Sequence, residues 1–202
     1  MELDIQPLTR ERLPDLASLF NQGGDPKWCW CAFFRIPGSY WGNTTPRGNR
    51  EILEEAVRTT AGEGRAPGLI AYRDGEAVGW VSLGPRTDYT RLERSTVLGR
   101  LDDKPVWSIV CFVVGRRARG QGVARALLNA AVDYAREHGA RLLEAYPVET
   151  DGSRIASASA YTGTLSMFER AGFKEAARRR APGANRDRPI VRRRIRATRS
   201  TP

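Results

Sequence analysis

Residues 119–124, Arg-Gly-Gln-Gly-Val-Ala, form a short basic loop with two glycines. It lies between an apolar run, Trp107–Val114, and a stretch of helical periodicity over 122–138. The first N–H groups of a helix have no partner inside it, and the helix dipole adds positive potential at that end, so such a start attracts an anion. Gly120 and Gly122 let the backbone come close to a ligand where a side chain would clash. The chemistry this spacing offers is the cradling of a phosphate or pyrophosphate. The plain alternative is a β–α connection with a tight turn. Neither nucleotide fingerprint fits. A P-loop needs a lysine after its last glycine, and none is present. A dinucleotide-binding turn needs glycine or alanine where Arg125 stands.

Other reactive side chains are few. Cys29 and Cys31 flank Trp30, and Cys111 sits in the apolar run. A CxC pair is half a zinc site, but the remaining ligands are missing and His138 is the sole histidine, so no metal is expected. Cys111 reads as a small buried hydrophobe. Trp28, Trp30, Phe33, Phe34, Tyr40 and Trp41 crowd six aromatics into one short segment. They read either as the wall of an apolar or cation-stacking pocket or as a satellite core under a long loop.

The elements that must position these groups follow from pattern. Leu3–Leu8 alternates as a strand, and Thr9 is placed to cap a helix running to Phe20. A second helix spans Arg50–Thr60. Leu69–Arg73 and Ala77–Leu83 are strands joined at Asp74-Gly75, a hairpin signal. Pro85–Lys104 is polar and charged and reads as a mobile loop. Then come the strand at 107–114 and the helix at 122–138, whose Val123, Leu127, Leu128, Ala131, Tyr134 and Ala135 share one face. A strand at 141–146 and a helix at 161–171 follow, with Ser157 or Ser159 near its cap. A closing hairpin pairs 173–180 with 189–195.

At 202 residues and 41% hydrophobic content one domain is expected, 1–196, with a basic tail at 197–202. No apolar stretch is long enough for a membrane span, and the acidic start is no signal peptide, so a cytoplasmic location is expected. The formal charge of +10 all comes from 170–202, which hold 12 basic and 2 acidic residues; 1–169 hold 21 of each. A basic end suits nucleic acid, an acidic partner or ligand phosphates; it equally suits a solvated edge hairpin. Nucleic acid is therefore a possible partner but not the favoured one.

The string Arg119-x-x-Gly122-x-Ala124 resembles the acetyl-CoA pyrophosphate motif of the GCN5-related N-acetyltransferases (GNAT), (R/Q)xxGx(G/A). Its surroundings are similar too: an apolar strand before it, Arg-Ala-Leu-Leu at 125–128 after it, and an ending Phe168-Glu-Arg-Ala-Gly-Phe173. The element order β-α-α-β-β-β-α-β-α-β-β matches that family's α/β fold, a mixed twisted sheet with helices on both faces. The resemblance implies an acetyl-CoA-dependent N-acetyltransferase, with acetyl-CoA as cosubstrate and an amine, of a small molecule before a protein, as acceptor. It implies that Phe112, Val113 and Val114 of the central strand bind the pantetheine arm and polarise the thioester. Arg119, Gly120, Gln121, Gly122, Val123 and Ala124 would hold the pyrophosphate. A homodimer is left open.

The proton-transfer residues depart from the family pattern. Phe168 stands where a tyrosine acid is usual, and Tyr161 is the replacement candidate for protonating the sulfur. Ser108 stands where some relatives carry a glutamate base. Glu144, among apolar neighbours, is the leading substitute base, ahead of Glu149, Asp151, Asp102 and Asp103; the alternative is a carboxylate paired with an arginine. Trp28, Trp30, Phe33, Phe34 and Arg86 are expected to line the acceptor site, with Arg35 and Arg91 at the same rim, where arginines suit a carboxylate on the acceptor. These departures also keep open an acetyl-CoA-binding sensor with degraded catalysis.

Overall fold

A computed structural model describes residues 3–150, 160–183 and 186–196. Seven strands build one sheet: β1 (Asp4–Pro7), β2 (Gly68–Arg73), β3 (Glu76–Pro85), β4 (Trp107–Val114), β5 (Leu142–Ala145), β6 (Lys174–Arg179) and β7 (Arg188–Arg194). Their order in space is β1-β2-β3-β4-β5-β7-β6. Every pair is antiparallel except β4–β5. The β2–β3 hairpin turns on Asp74 and Gly75, at positive φ values of 51° and 79°. That is the turn geometry that suits twisted strands.

Among the described residues six α-helices complete the fold: α1 (Leu13–Phe20), α2 (Pro26–Cys29), α3 (Pro46–Gly62), α4 (Thr90–Glu93), α5 (Val123–Glu137) and α6 (Leu165–Arg170). The long α5 lays Val123, Leu127, Leu128, Ala131 and Ala135 on one sheet face, in a cluster with Val81, Ile109, Phe112 and Phe168. Its approach needs Gly79: a Cβ there would lie 2.6 Å from Val123 and 2.9 Å from Leu127. Leu16 and Phe20 of α1 and Leu53 and Val57 of α3 cover the other face, over Ile70, Trp80, Val110 and Cys111.

Three expectations change. Helix α3 begins at Pro46, because Thr45 caps it through a Gly48 N–H to Oγ1 bond of 3.1 Å. Proline suits the first turn, and a threonine cap satisfies one of its free amides. Residues 85–104 are not a free loop: Arg86, Tyr89 and Leu92 are buried. The last helix starts at Leu165 rather than 161, since Gly163 takes a left-handed φ of 80° and the Tyr161 carbonyl is bonded elsewhere. Asp151, Ser157, Ser159 and the tail 197–202 lie outside the described residues.

Strand β7 pairs with both β5 and β6. Truncation at 186 should therefore abolish cooperative unfolding, because it strips the strand that joins two others. Truncation at 197 should leave it unchanged in a circular-dichroism melt. Among the described residues no helix is long and apolar enough to cross a membrane.

Candidate active site

The centre of the site is a break in β4. Ser82 pairs with Cys111 and Leu83 with Ile109, so Val110 is an extra residue, a β-bulge. Parallel pairing to β5 stops at Ile109–Ala145. Beyond it β4 runs on to Val114 without β5 beside it, and the two strands splay apart. The Phe112 N–H faces the splay, where it donates to the Tyr161 carbonyl at 2.6 Å. By strand alternation the Val114 backbone shares this direction. Val113, like Gly115 with its 2.9 Å bond to the Val78 carbonyl, faces β3. Of the three backbone groups expected to meet a ligand here, Val113 is thus committed to the sheet. In the same segment as Tyr161, the hydroxyl of fully buried Thr162 has no partner among the described residues.

At its far end β4 leads through Gly115 into the basic loop. Gly120 and Gly122 both hold left-handed φ values, 74° and 81°, and Gly122 caps α5 with no side chain over its first turn. Arg116, Arg117, Arg119 and Arg125 are exposed around it. Arg119 Nε donates to the Val114 carbonyl at 3.2 Å, which binds the loop to the end of the splayed strand. Gln121 accepts from Arg73 at 2.5 Å and donates to the Arg117 carbonyl at 2.7 Å; its side chain braces the loop. Val123 is buried against the sheet and Ala124 half-buried, so they offer backbone only. A cationic loop with outward amides, at the end of a splayed strand, is what an extended ligand with a phosphate at one end requires.

Glu144, the proton acceptor expected from the sequence, stands inside a buried ion-pair network. It is wholly buried on β5, opposite Ser108 of β4. Its Oε1 accepts from Arg86 Nη1 and from the Tyr146 hydroxyl, both at 2.7 Å, and its Oε2 from Arg192 Nε at 2.7 Å. Three strong donors take three of the carboxylate's roughly four lone-pair sites, and neither oxygen meets solvent, so an amine has no open approach to it. The Tyr146 hydroxyl also meets Ser108 Oγ at 2.9 Å, and burial raises its pKa well above the ordinary phenol value.

Arg86, expected at the acceptor rim, is the other half of this network. A guanidinium has five N–H donors. Those of Arg86 find Glu93 at 2.9 Å, Glu144 and Tyr146 both at 2.7 Å, and the carbonyls of Leu92 at 3.0 Å and Leu98 at 2.8 Å. Nothing remains to hold a substrate. Arg192 joins Glu144 to Asp102, whose carboxyl it holds well below the usual range, assisted by Lys104. Glu149 is paired with Arg178. The alternating period of β5 puts Glu144 and Tyr146 on one face, a signal available in the sequence. The partner Arg192 follows only from the β5–β7 register.

The aromatic segment divides. Trp28 stands 48% exposed on the surface, and Trp30 is core, edge-on to Phe20 at 5.4 Å, so neither faces the splay. Phe33 and Phe34 do. Phe34 stacks on Tyr146 at 6.4 Å and lies 6.3 Å from Tyr161; Phe33 meets Trp41 at 5.0 Å and Tyr161 at 6.1 Å. Burial raises the Tyr161 phenol pKa, so it keeps its proton throughout the neutral range. Phe168 lies on the opposite face, fully buried against Phe112 and Phe173. The Cys31 and Cys111 sulfurs are 3.0 Å apart, with Trp80 Nε1 donating to Cys31 at 3.2 Å. The neighbouring Cys31 thiol raises the Cys29 pKa, and burial raises that of Cys31. Among the described residues no three His, Cys, Asp or Glu side chains converge as metal ligands.

The model of the acetyltransferase (GNAT) family matches residues 27–173. Among solved structures, the chain is similar to a putative GNAT acetyltransferase from Desulfovibrio desulfuricans (19% identity, 96% of this chain and 99% of that one covered, TM-score 0.59). It is similar to a ribosomal-protein-alanine N-acetyltransferase from Brucella melitensis (21%, 95% and 99%, 0.58). A third, the NatC complex bound to Gag peptide and CoA, shares 15% identity over 97% and 100% of the chains with a TM-score of 0.55. Among curated proteins none matches.

Proposed function

The chain belongs to the acetyltransferase (GNAT) family, and from that membership and its own site we propose that it transfers the acetyl group of acetyl-CoA to the amine of a small molecule by direct attack in a ternary complex. The observation that carries this reading is the continuity of a bulged, splayed β4 with the glycine loop at the start of α5. Residues 119–124 hold the pyrophosphate through backbone amides and Arg119. The pantetheine arm takes up the splay, where the Phe112 and Val114 backbone and the Thr162 hydroxyl, without a partner among the described residues, meet it; the Phe112 N–H exchanges its Tyr161 carbonyl for the ligand. Backbone donors aimed at the thioester oxygen stabilise the developing oxyanion. The neutral amine attacks the carbonyl carbon, the C–N bond forms, the C–S bond breaks, and CoA leaves as thiolate. The amine's surplus proton goes to water, because Glu144, Glu149 and Asp102 are all paired. Tyr161, protonated and on the acceptor face, supplies the proton to sulfur and is reprotonated from the water that took up the amine's proton, so the cycle closes with no net proton gained or lost.

The Tyr161–Phe112 bond favours a second reading, a sensor in which that contact is the resting state and acetyl-CoA binding breaks it without turnover. Thiol release from acetyl-CoA with a panel of primary amines separates the two. Amine-dependent CoA formation, with Tyr161→Phe slowing it about 10²- to 10⁴-fold, is expected; binding of acetyl-CoA without thiol release from any amine would establish the sensor.

A further inference from the structure

Three arginines sunk into this fold come with two carboxylates each. Arg65 has Glu63 and Asp88, Arg86 has Glu93 and Glu144, and Arg192 has Asp102 and Glu144. Arg91 has none among the described residues. It stands on α4, held by its backbone N–H to the Phe34 carbonyl (3.1 Å) and its Nε to the Phe33 carbonyl (2.6 Å). These bonds place the guanidinium over the Phe33 ring, 3.8 Å from its centre and 5.8 Å from that of Trp41. The Nη2 atom is buried without a partner, and no bond to Nη1 exists within the described residues. Burial lowers the Arg91 pKa, while Tyr161 on the same face acts on it as a neighbour. A half-buried guanidinium whose buried Nη2 has no acceptor among the described residues costs free energy until an acceptor completes it.

The position of that fork decides what completes it. Phe33 touches Tyr161, and Tyr161 closes the β4 splay through its carbonyl, so Arg91 faces the acceptor end and lies on the sheet face opposite α5. The planar Nη1–Nη2 fork matches a carboxylate held by two parallel bonds. Its nearest walls are apolar rings. Arg35, another half-buried arginine with unpartnered donors, turns instead over the Tyr89 ring at 4.8 Å.

We infer that Arg91 is the acceptor's carboxylate anchor, and that the acceptor is therefore a small amino-carboxylate, with its carboxylate on the Arg91 fork and its apolar part against Phe33 and Trp41. The inference rests on the acetyltransfer reading above, and it adds the substrate class. It also explains why the Phe33–Trp41 wall carries a cation with no carboxylate partner among the described residues: the charge is completed by the substrate and not by the protein.

The test compares amines that differ only at the carboxylate. L-Phenylalanine, L-methionine and L-tryptophan are assayed for thiol release beside their carboxamides. Loss of one charge-assisted bidentate contact should lower kcat/KM for the carboxamides by about 10- to 100-fold, mainly through KM. Arg91→Met, which keeps bulk over Phe33, should collapse the ratio toward one, and Arg91→Lys should restore part of it. Equal use of acids and amides by the unaltered protein, or a ratio that survives Arg91→Met, overturns the anchor while leaving acetyltransfer standing. If no amine releases thiol, acetyltransfer itself fails. The anchor is then read in thermal shift with the same acids and amides: stabilisation by the acids alone, lost in Arg91→Met, upholds it, and identical shifts overturn it.

Discussion

Glu144→Gln should lower the stability of this protein by about 3 kcal/mol, within the range seen when one partner of a buried ion pair is removed. For a chain of this size that corresponds to a fall in Tm of roughly 6–12 °C. Glutamine keeps the shape and one acceptor. It cannot supply the negative charge that Arg86 and Arg192 share. Its NH2 group also turns a donor toward one of them. Arg86 keeps Glu93 and Arg192 keeps Asp102, which holds the loss near the lower end of that range. Tyr146→Phe removes the hydroxyl that bridges Ser108, Arg86 and Glu144. It should cost about 1–3 kcal/mol for the groups it leaves unsatisfied. Urea denaturation of both variants at pH 7 checks this. A Glu144→Gln protein of unaltered stability that lost roughly 10²–10⁴ in turnover would return Glu144 to the role of base.

This network also shows where sequence reading stops. Glu144 is visible as a carboxylate among apolar residues, and the same pattern serves a perturbed catalytic acid and a buried ion pair equally well. What separates them is the set of donors around it. Those donors come from residues 86, 146 and 192, joined only by the sheet order β3-β4-β5-β7. The strands β2, β3 and β4 and the helix α5 are legible because period and punctuation are local: Asp74-Gly75 sets one hairpin, and Gly122 and Gly139 bracket the helix. The segment 85–104 misleads for the opposite reason. It is rich in charge, yet Arg86 is buried because each of its donors is met, and Tyr89 and Leu92 serve as its apolar pegs. The aromatic run reads in sequence as a single unit, either a pocket wall or a satellite core. The left-handed turns at Trp30 and Cys31, φ 44° and 48°, send Trp30 into the core and Phe33 and Phe34 toward the splay, and nothing in composition foretells that division.

The glycine loop is the feature most directly legible, and it carries the second large effect. Gly122→Val should weaken acetyl-CoA binding by more than about tenfold, or about 1.4 kcal/mol. Gly122 holds a φ of 81° at the start of α5. A β-branched residue is a genuine outlier there, so valine must rotate the backbone that aims the first amides of α5 outward. The strain itself costs roughly 1–3 kcal/mol of stability, and that cost has to be separated from the loss of a ligand contact. The other end of α5 provides the control. Gly139 has a φ of 82° and open space where a Cβ would stand, so Gly139→Val imposes the same backbone strain on the same helix, far from the loop. Calorimetric titration of both variants with acetyl-CoA distinguishes the terms. If affinity falls only with Gly122→Val, the amides of residues 122–125 bind the pyrophosphate. If both variants bind like the unaltered protein, the loop is an ordinary β–α turn. If both lose affinity alike, the effect belongs to helix stability and not to anion binding. Arg119→Glu adds the electrostatic arm: reversing a charge at the loop's edge should weaken binding further at low salt than at high salt, since exposed charges are screened.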